Sequence, residues 1–267
     1  MNEIKIEELK SIQLEILLHV DSFCKDNNIQ YYMSGGSLIG TVRHHGYIPW
    51  DDDIDIMMLR EDYEMFYKKY LQSEQLRYKL RSHRLEKKFL YPFIKIEDSK
   101  TVLIEDYATP CEMGINIDVF PIEKVPEKSF MQKLFYGRAK AWHYLLTLKQ
   151  LIPETGRASY KNIIVKIAHV LLCPFPCYLF VRALEKAAMS YRHKETGKCG
   201  VACWGYGLRE INSLSNYAET VQMTFEGFNV PVPIGYDNYL RHVYGDYMQL
   251  PPVEKRISHH GFTAYWK

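Results

Sequence analysis

Residues 50–56 carry four carboxylates within five positions, on Asp51, Asp52, Asp53 and Asp55. If a β-strand begins at residue 53, side chains alternate between its two faces, so Asp53 and Asp55 share one face while the isoleucines point into a core. Adjacent carboxylates repel each other, and the pKa of one of them rises unless a cation neutralises the pair. Carboxylate oxygens suit Mg²⁺ or Mn²⁺. The stretch therefore predicts a divalent-metal site that works on phosphates.

A glycine turn precedes this acidic stretch. Residues 29–33 are predicted to form a short buried strand that leads into Ser34-Gly35-Gly36-Ser37. A helix is predicted over residues 38–45, with Ser37 as its N-cap and Gly46 as its stop. A helix N-terminus behind a glycine turn offers free backbone N–H groups to a phosphate, although most such turns are only turns. Neither a dinucleotide-binding fingerprint nor a P-loop occurs, so the signal lies in the order: strand, glycine turn, helix, acidic strand.

A third carboxylate, Asp118, lies in a predicted strand over residues 116–120, where apolar residues alternate with polar ones. A carboxylate among apolar strand residues is unfavourable unless it is paired or bound to a metal. Lys95 lies in a similar apolar strand over residues 93–96. A solvated edge lysine is the ordinary interpretation of such a position.

These residues carry a resemblance to a known family. Gly36-Ser37 followed by Asp53-Ile54-Asp55 resembles the signature of the polymerase-β-like nucleotidyltransferase superfamily. The whole of residues 34–56 is similar to the hallmark of the LicD family, and further similar segments cover residues 92–101, 117–122, 244–252 and 259–266. That family moves phosphocholine or a related phosphoryl-alcohol group from a cytidine diphosphate carrier to a surface glycan or teichoic acid precursor.

The resemblance implies roles for individual residues. Asp53, Asp55 and Asp118 would hold Mg²⁺ or Mn²⁺, and Asp118 would act as a base or only as a ligand. Contacts to a CDP-alcohol donor such as CDP-choline, or to the acceptor, would come from Gly35, Gly36, Ser37, Arg43, Lys95, His259 and His260. Arg43 would alternatively orient the acidic loop. Adjacent histidines point to opposite faces of a strand, so only one of the pair could reach the metal.

The resemblance also implies an α/β (α+β) fold, in which a nucleotidyltransferase-like mixed sheet is flanked by helices and carries a mostly helical insertion. We assign residues 1–126 to the catalytic core, 127–209 to a helical subdomain and 210–267 to a segment that closes the substrate side. The three parts are expected to form one integrated domain. A β-hairpin is expected within residues 221–233 and a helix over 236–244.

Overall composition excludes few partners. The 267 residues have a formal net charge of +2, which gives no global field for nucleic acid, and we expect no nucleic-acid partner. Residues 1–20 are acidic and show a helical apolar pattern without the features of a secretory signal, so a cytoplasmic protein is expected. The six cysteines include two C-x3-C pairs, at 173/177 and 199/203, for which packed thiols are favoured over zinc.

Residues 163–181 form the most apolar part of the predicted helical subdomain. A charged residue, a histidine and two prolines argue against a membrane-spanning helix. We expect a buried helical hairpin here. Peripheral contact with the inner face of the plasma membrane is the alternative, because acceptors of the LicD family are often lipid-linked glycans.

Two other functions fit part of the pattern. Nucleotidyl transfer from an NTP to a small acceptor would use the same glycine-serine and Asp-x-Asp residues. Calcium binding of the EF-hand type fits Asp51, Asp53 and Asp55, but Ile56 and Asp62 stand where that loop requires glycine and glutamate. The long motif around Trp50 favours transfer from a CDP-alcohol over both.

Overall fold

The computed structural model describes residues 2–105, 112–151, 159–257 and 262–267. His259 and His260 lie outside the described residues. The helices are α1 Ile6–Asp26, α2 Gly35–His44, α3 Arg60–Gln72, α4 Ser129–Gln150, α5 Ser159–Leu172, α6 Cys177–Ala188 and α7 Tyr236–Tyr244. The strands are β1 Tyr32–Met33, β2 Asp55–Leu59, β3 Tyr78–Arg81, β4 Ile94–Asp98, β5 Thr101–Glu105, β6 Asn116–Val125, β7 Lys198–Val201, β8 Asn212–Ser213, β9 Thr220–Phe225, β10 Phe228–Pro233 and β11 Phe262–Trp266.

The core is a mixed sheet in the order β1-β2-β6-β4-β3. Only β2 and β6 run parallel, and the other neighbours in this path are antiparallel. Strand β6 is central, because its first half lies between β2 and β4 while its second half pairs with β7, which in turn pairs with β8. The predicted α+β fold is confirmed. The strand around Asp118 is longer than the sequence pattern predicted, because pairing with β7 extends it to Val125.

Helix α1 packs on this sheet through a buried apolar stripe that includes Leu9, Ile12, Ile16, Val20 and Phe23. These residues recur at steps of three and four, which places them on one face of a helix. The helix ends at Asp26, Asn27 is its C-cap, and Asn28 adopts a left-handed backbone with φ of 54°. The helix agrees with the helical apolar pattern that the sequence shows over residues 1–20.

Residues 127–209 contain α4, α5 and α6, as expected, but also β7, a strand of the central sheet. A buried ion network ties α6 to the core. Arg60 of α3 is 2% exposed and pairs with Glu123 of β6, which is fully buried. Glu185 of α6 accepts hydrogen bonds from His83 and Arg84, and these bonds lower its pKa to about 2 despite its burial. The insertion is thereby fixed to the sheet by charges as well as by apolar packing.

The expectation of a buried helical hairpin over residues 163–181 is wrong for α5. Its outer face exposes six large side chains, between 51% and 74% each: Tyr160, Ile163, Ile164, Ile167, Val170 and Leu171. The apolar pattern did not distinguish burial inside the protein from an apolar outer surface. Among the described residues, no single helix has the length and apolar character to cross a membrane; the bent pair 162–172 and 177–191, with 92° between its helices, meets these criteria only when its halves are combined.

The C-terminal segment forms the predicted hairpin of β9 and β10. Its two-residue turn consists of Glu226 and Gly227, with φ of 49° and 82°, the positive values that a type I′ turn requires. Helix α7 matches its predicted bounds. Strand β11 pairs with β5, and Glu3 bridges to Tyr265, so both ends of the chain meet at one place.

The described cysteines, Cys24, Cys173, Cys177, Cys199 and Cys203, are free thiols. Within the described part of the chain they join no group of side chains that could hold a metal ion. Burial raises the pKa of the Cys203 thiol. Cys199 and Cys203 are buried, as the packed-thiol interpretation requires, whereas Cys173 is exposed and Cys177 is half-buried.

Candidate metal and phosphate site

Three functional side chains lie in one row across the central sheet. In the parallel pair β2–β6, Asp55 lies opposite Asp118, and in the antiparallel pair β4–β6, Lys95 lies opposite the same Asp118. Residues that are directly opposite on neighbouring strands present their side chains on the same face. The register of β6 therefore brings together two carboxylates and an ammonium that are separated by up to 63 positions in the sequence.

Lys95 is 7% exposed and makes an ion pair with Asp118, with 2.7 Å between Nζ and Oδ1. It also donates to Asn116 Oδ1 at 3.1 Å and lies 4.4 Å from the centre of the Tyr91 ring. The interpretation of Lys95 as a solvated lysine at the edge of the sheet is therefore wrong. Because β3 covers the outer side of β4, Lys95 is inside the sheet and its charge is directed at the carboxylates.

The acidic loop approaches this row from the side of α2. Strand β2 begins at Asp55, so Asp53 precedes the strand, and the predicted alternation of Asp53 and Asp55 along one strand is wrong. Ligand oxygens of Asp51, Asp52 and Asp53 lie within 4.8 Å of one another instead. A loop can gather consecutive side chains, whereas a pleated strand separates them onto two faces. Asp52 is buried, and its carbonyl accepts a hydrogen bond from Gln13 Nε2 at 3.0 Å.

The glycine turn forms the first turn of α2. The helix begins at Gly35, three positions before the predicted start, and Ser34 rather than Ser37 precedes it. Ser37 Oγ accepts a hydrogen bond from the backbone N–H of Asp55 at 2.9 Å, which ties the helix to the start of β2. Gly35 has a φ of 52°, a conformation that favours glycine.

Both glycines lie against carboxylates. A Cβ on Gly36 would be 2.6 Å from Asp51 Oδ2, and one on Gly35 would be 3.2 Å from Asp55 Oδ2. Side chains at these positions would displace the acidic groups. The first turn of α2, whose backbone N–H groups favour anions, therefore faces the same space as the carboxylates.

The neighbouring carboxylates of the site disfavour the charged form of Asp55, and Lys95 offsets this effect only in part. Burial raises the pKa of Asp55 well above its usual value, and the neighbouring Asp53, Asp118 and Asp51 raise it further, while Lys95 lowers it. A divalent ion would reverse this effect, since it favours the charged carboxylate. Hard oxygen donors fit Mg²⁺ or Mn²⁺. The carboxylates of Asp51, Asp52 and Asp53 lie close enough to share an ion, whereas Asp55 and Asp118 are opposite each other on neighbouring strands. The assignment of Asp53, Asp55 and Asp118 as the metal ligands stays a prediction.

Arg43 is directed away from these carboxylates. Its guanidinium donates to the backbone carbonyls of Tyr247 and Gln249, and its Nε donates to His44 at 2.9 Å. These bonds attach α2 to the segment after α7. Its suggested contact with a phosphate stays a prediction, as do the roles of His259 and His260.

Two tyrosines at the site were not predicted from the sequence. Tyr91 lies under Lys95, and the Tyr244 hydroxyl would be 3.6 Å from a Cβ on Gly35. Tyr91 immediately precedes the segment 92–101, and Tyr244 begins the segment 244–252, so both stand beside segments already noted. A tyrosine carries no spacing signal of its own in a chain with 21 of them.

Comparison with known proteins finds a family model and several relatives that match this chain. Residues 28–146 match the family model described as LicD/FKTN/FKRP, nucleotidyltransferase domain. The chain is 28% identical, over 99% of its own length and 99% of the relative, to the lipopolysaccharide cholinephosphotransferase LicD of Haemophilus influenzae. An uncharacterised protein of Rickettsia typhi is 35% identical over 82 residues, which cover 30% of this chain and 26% of that protein. The matched range contains the glycine turn and all three candidate metal-binding aspartates, and these two matches together support a member of the LicD family.

Proposed function

We propose that this protein transfers phosphocholine from CDP-choline to a hydroxyl of a lipopolysaccharide-type or other surface glycan, with Mg²⁺ or Mn²⁺ as cofactor. The observation that carries the proposal is the row Asp55–Asp118–Lys95 beside the glycine-rich first turn of α2. The relative of matching length is named a lipopolysaccharide cholinephosphotransferase, which supports the choice of phosphocholine and of this acceptor class.

Phosphoryl transfer requires mainly positioning and charge stabilisation. A bound divalent ion would supply neutralisation of the donor's diphosphate. The first turn of α2 would bind a phosphate through backbone N–H groups. An acceptor oxygen forms a bond to the choline-bearing phosphorus as the bond to the CMP oxygen breaks, and the hydroxyl proton passes to a carboxylate. Asp118 would take that proton or act as a metal ligand, and Lys95 would stabilise the leaving CMP.

The test is CMP release from CDP-choline in the presence of a glycan acceptor, with and without Mg²⁺. We expect Asp55→Asn and Asp118→Asn to lower turnover at least about a thousandfold, since they remove ligands from the charge-stabilising centre. Asp26→Asn, an exposed change at the end of α1, is the matched control and should leave turnover unchanged. Near-normal turnover by either site variant would refute the assignment.

Nucleotidyl transfer is the second candidate, because the matching family model is described as a nucleotidyltransferase domain. The two reactions give different products. CMP from CDP-choline supports the first, whereas pyrophosphate from an NTP supports the second. A parallel screen with CDP-glycerol, CDP-ribitol and CDP-ethanolamine identifies the alcohol.

We also propose that α5 contacts the inner face of the plasma membrane peripherally. Its six exposed apolar side chains form a stripe at helical spacing. Residues 129–188 carry nine lysines and arginines against two glutamates, which complements anionic lipid headgroups. Such contact would place the protein where a lipid-linked acceptor is found.

Flotation with vesicles of anionic and of neutral phospholipid tests this contact. The double variant Ile163→Ser/Ile167→Ser should lose co-flotation with anionic vesicles. The control Leu76→Ser, at an equally apolar but isolated position that is 88% exposed, should retain it. Absence of co-flotation by the unaltered protein at low salt would refute the proposal.

A further inference from the structure

A cavity of about 800 Å³ lies between α4 and residues 201–209. Trp204 and Tyr206 line it and are 39% and 55% exposed, although both are large rings in a well-packed part of the protein. The volume is within the range of sites that bind small organic ligands. No role in the metal and phosphate site described above involves either ring.

Three ring contacts connect the cavity with the metal and phosphate site. The Trp204 ring is 5.6 Å from Phe93 and 6.2 Å from Tyr91, the ring that lies under Lys95. On another side, Tyr206 is 5.1 Å from Tyr244, whose hydroxyl adjoins Gly35. A ligand in the cavity would therefore be separated from Lys95 and Gly35 by one further layer of aromatic rings.

A hydrogen bond to the buried Glu210 holds the loop that carries Trp204 and Tyr206 in place. The backbone N–H of Tyr206 donates to Glu210 Oε1 at 3.1 Å, and Glu210 is 3% exposed. A Cβ on Gly205 would be 2.7 Å from the same oxygen, so glycine is required for this close approach. The two rings are thus presented by a fixed backbone, which reduces the entropy lost when a ligand binds.

The charge of the cavity indicates the class of ligand. Lys133, Lys140 and Arg209 line it, and no carboxylate is among its described lining residues. Aromatic rings pack against the apolar faces of sugars, while lysine and arginine bind phosphate and carboxylate groups. The combination suits an anionic glycan.

We propose that this cavity binds a phosphorylated or carboxylated part of the acceptor glycan and presents the neighbouring hydroxyl to the reaction centre. The inference depends on the proposed transferase function. The donor nucleotide is a poorer occupant, because its charge is concentrated in the diphosphate, which the metal-binding carboxylates and α2 must engage. The cations of the cavity would then have no anionic partner.

Calorimetry with a lipid-free, phosphorylated lipopolysaccharide oligosaccharide tests the inference without requiring turnover. Trp204→Ala should weaken oligosaccharide binding by between about twofold and tenfold. Lys140→Ala should weaken it similarly and reduce its dependence on salt, because one phosphate contact is lost. Trp142→Ala, a tryptophan of α4 that faces the adjacent cleft with 37% exposure, is the matched control and should not change the affinity.

Three results would overturn the inference: unchanged oligosaccharide affinity in a folded Trp204→Ala protein, a weaker affinity for CDP-choline in its place, or equal binding of the dephosphorylated oligosaccharide. Failure of the proposed function is separate, since it is the absence of CMP release by the unaltered protein. Oligosaccharide binding by a protein that releases no CMP would refute the function and leave the cavity assignment intact.

Discussion

Lys95→Met tests whether this lysine is the counter-charge of the carboxylates. The substitution keeps the length of the side chain and removes the ammonium that pairs with Asp118 at 2.7 Å. The two side chains are 9% and 20% exposed, so the pair is largely shielded from water. In the variant, the negative charge of Asp118 still faces that of Asp55, but the ammonium that balanced it is gone.

Removing one partner of a buried ion pair is expected to lower the free energy of unfolding by about 3 kcal/mol, the lower end of the usual range, because Asp118 retains some contact with water. For a chain of this size, that loss corresponds to a decrease in Tm of about 6 to 12 °C. Mg²⁺ should restore more stability to the variant than to the unaltered protein. The ion binds the native carboxylates, and its competitor for Asp118 has been removed.

The measurement is thermal unfolding with EDTA and across a Mg²⁺ series. Lys124→Met is the matched control, because Lys124 lies on β6 but its pair with Glu61 is 3.6 Å apart and 31% and 62% exposed. The free energy of unfolding of Lys124→Met should be lower than that of the unaltered protein by less than about 1 kcal/mol. Equal Tm decreases in the two variants, or equal gains from Mg²⁺ in Lys95→Met and the unaltered protein, would refute the reasoning.

Further predictions concern the glycine turn and the buried Glu210. Ser37→Ala should lower the free energy of unfolding by about 1 to 3 kcal/mol in urea titrations, because the N–H of Asp55 loses its acceptor. Gly36→Ala should weaken Mg²⁺ binding about tenfold in calorimetry, because Asp51 must move away from the new Cβ. Burial raises the pKa of Glu210 to about 7, so its contribution to stability is present at pH 4 and lost as the pH rises through 7. Glu210→Gln should therefore flatten the decline of the urea midpoint between pH 4.5 and about 7, the ordinary and the raised pKa of this carboxyl.

Each of these predictions has a result that contradicts it. Unchanged stability of Ser37→Ala would show that its hydrogen bond to the strand contributes nothing. Gly137→Ala places a methyl group where no atom lies within 4 Å, so it should leave Mg²⁺ binding intact, and equal weakening in both glycine variants would exclude the proposed clash. Parallel pH profiles for Glu210→Gln and the unaltered protein would assign the pH dependence to another group.

Much of the secondary structure follows from local pattern. The stripe of α1, the hairpin of β9 and β10 and the bounds of α7 were predicted because each depends on neighbours within a few positions. The start of α2 was predicted three residues too late. The helix begins at a glycine with positive φ, and the sequence pattern does not indicate such a residue as the start of a helix. The outward apolar face of α5 fits the alternative interpretation, membrane contact, better than the favoured buried hairpin, because hydropathy records which residues avoid water and not which partner covers them.

By itself, the sequence determined the types of the reacting groups: a glycine turn, an acidic run, one aspartate and one lysine in apolar strands, all within segments similar to the LicD family. Only the tertiary structure decided their arrangement. Strand register placed Lys95 and Asp55 on either side of Asp118, and a loop rather than a strand gathered Asp51, Asp52 and Asp53. Register is a property of pairs of strands that are distant in the chain, so no local pattern contains it. The cavity beside Trp204 has the same origin, because α4 and the loop that carries Trp204 meet only in the folded protein.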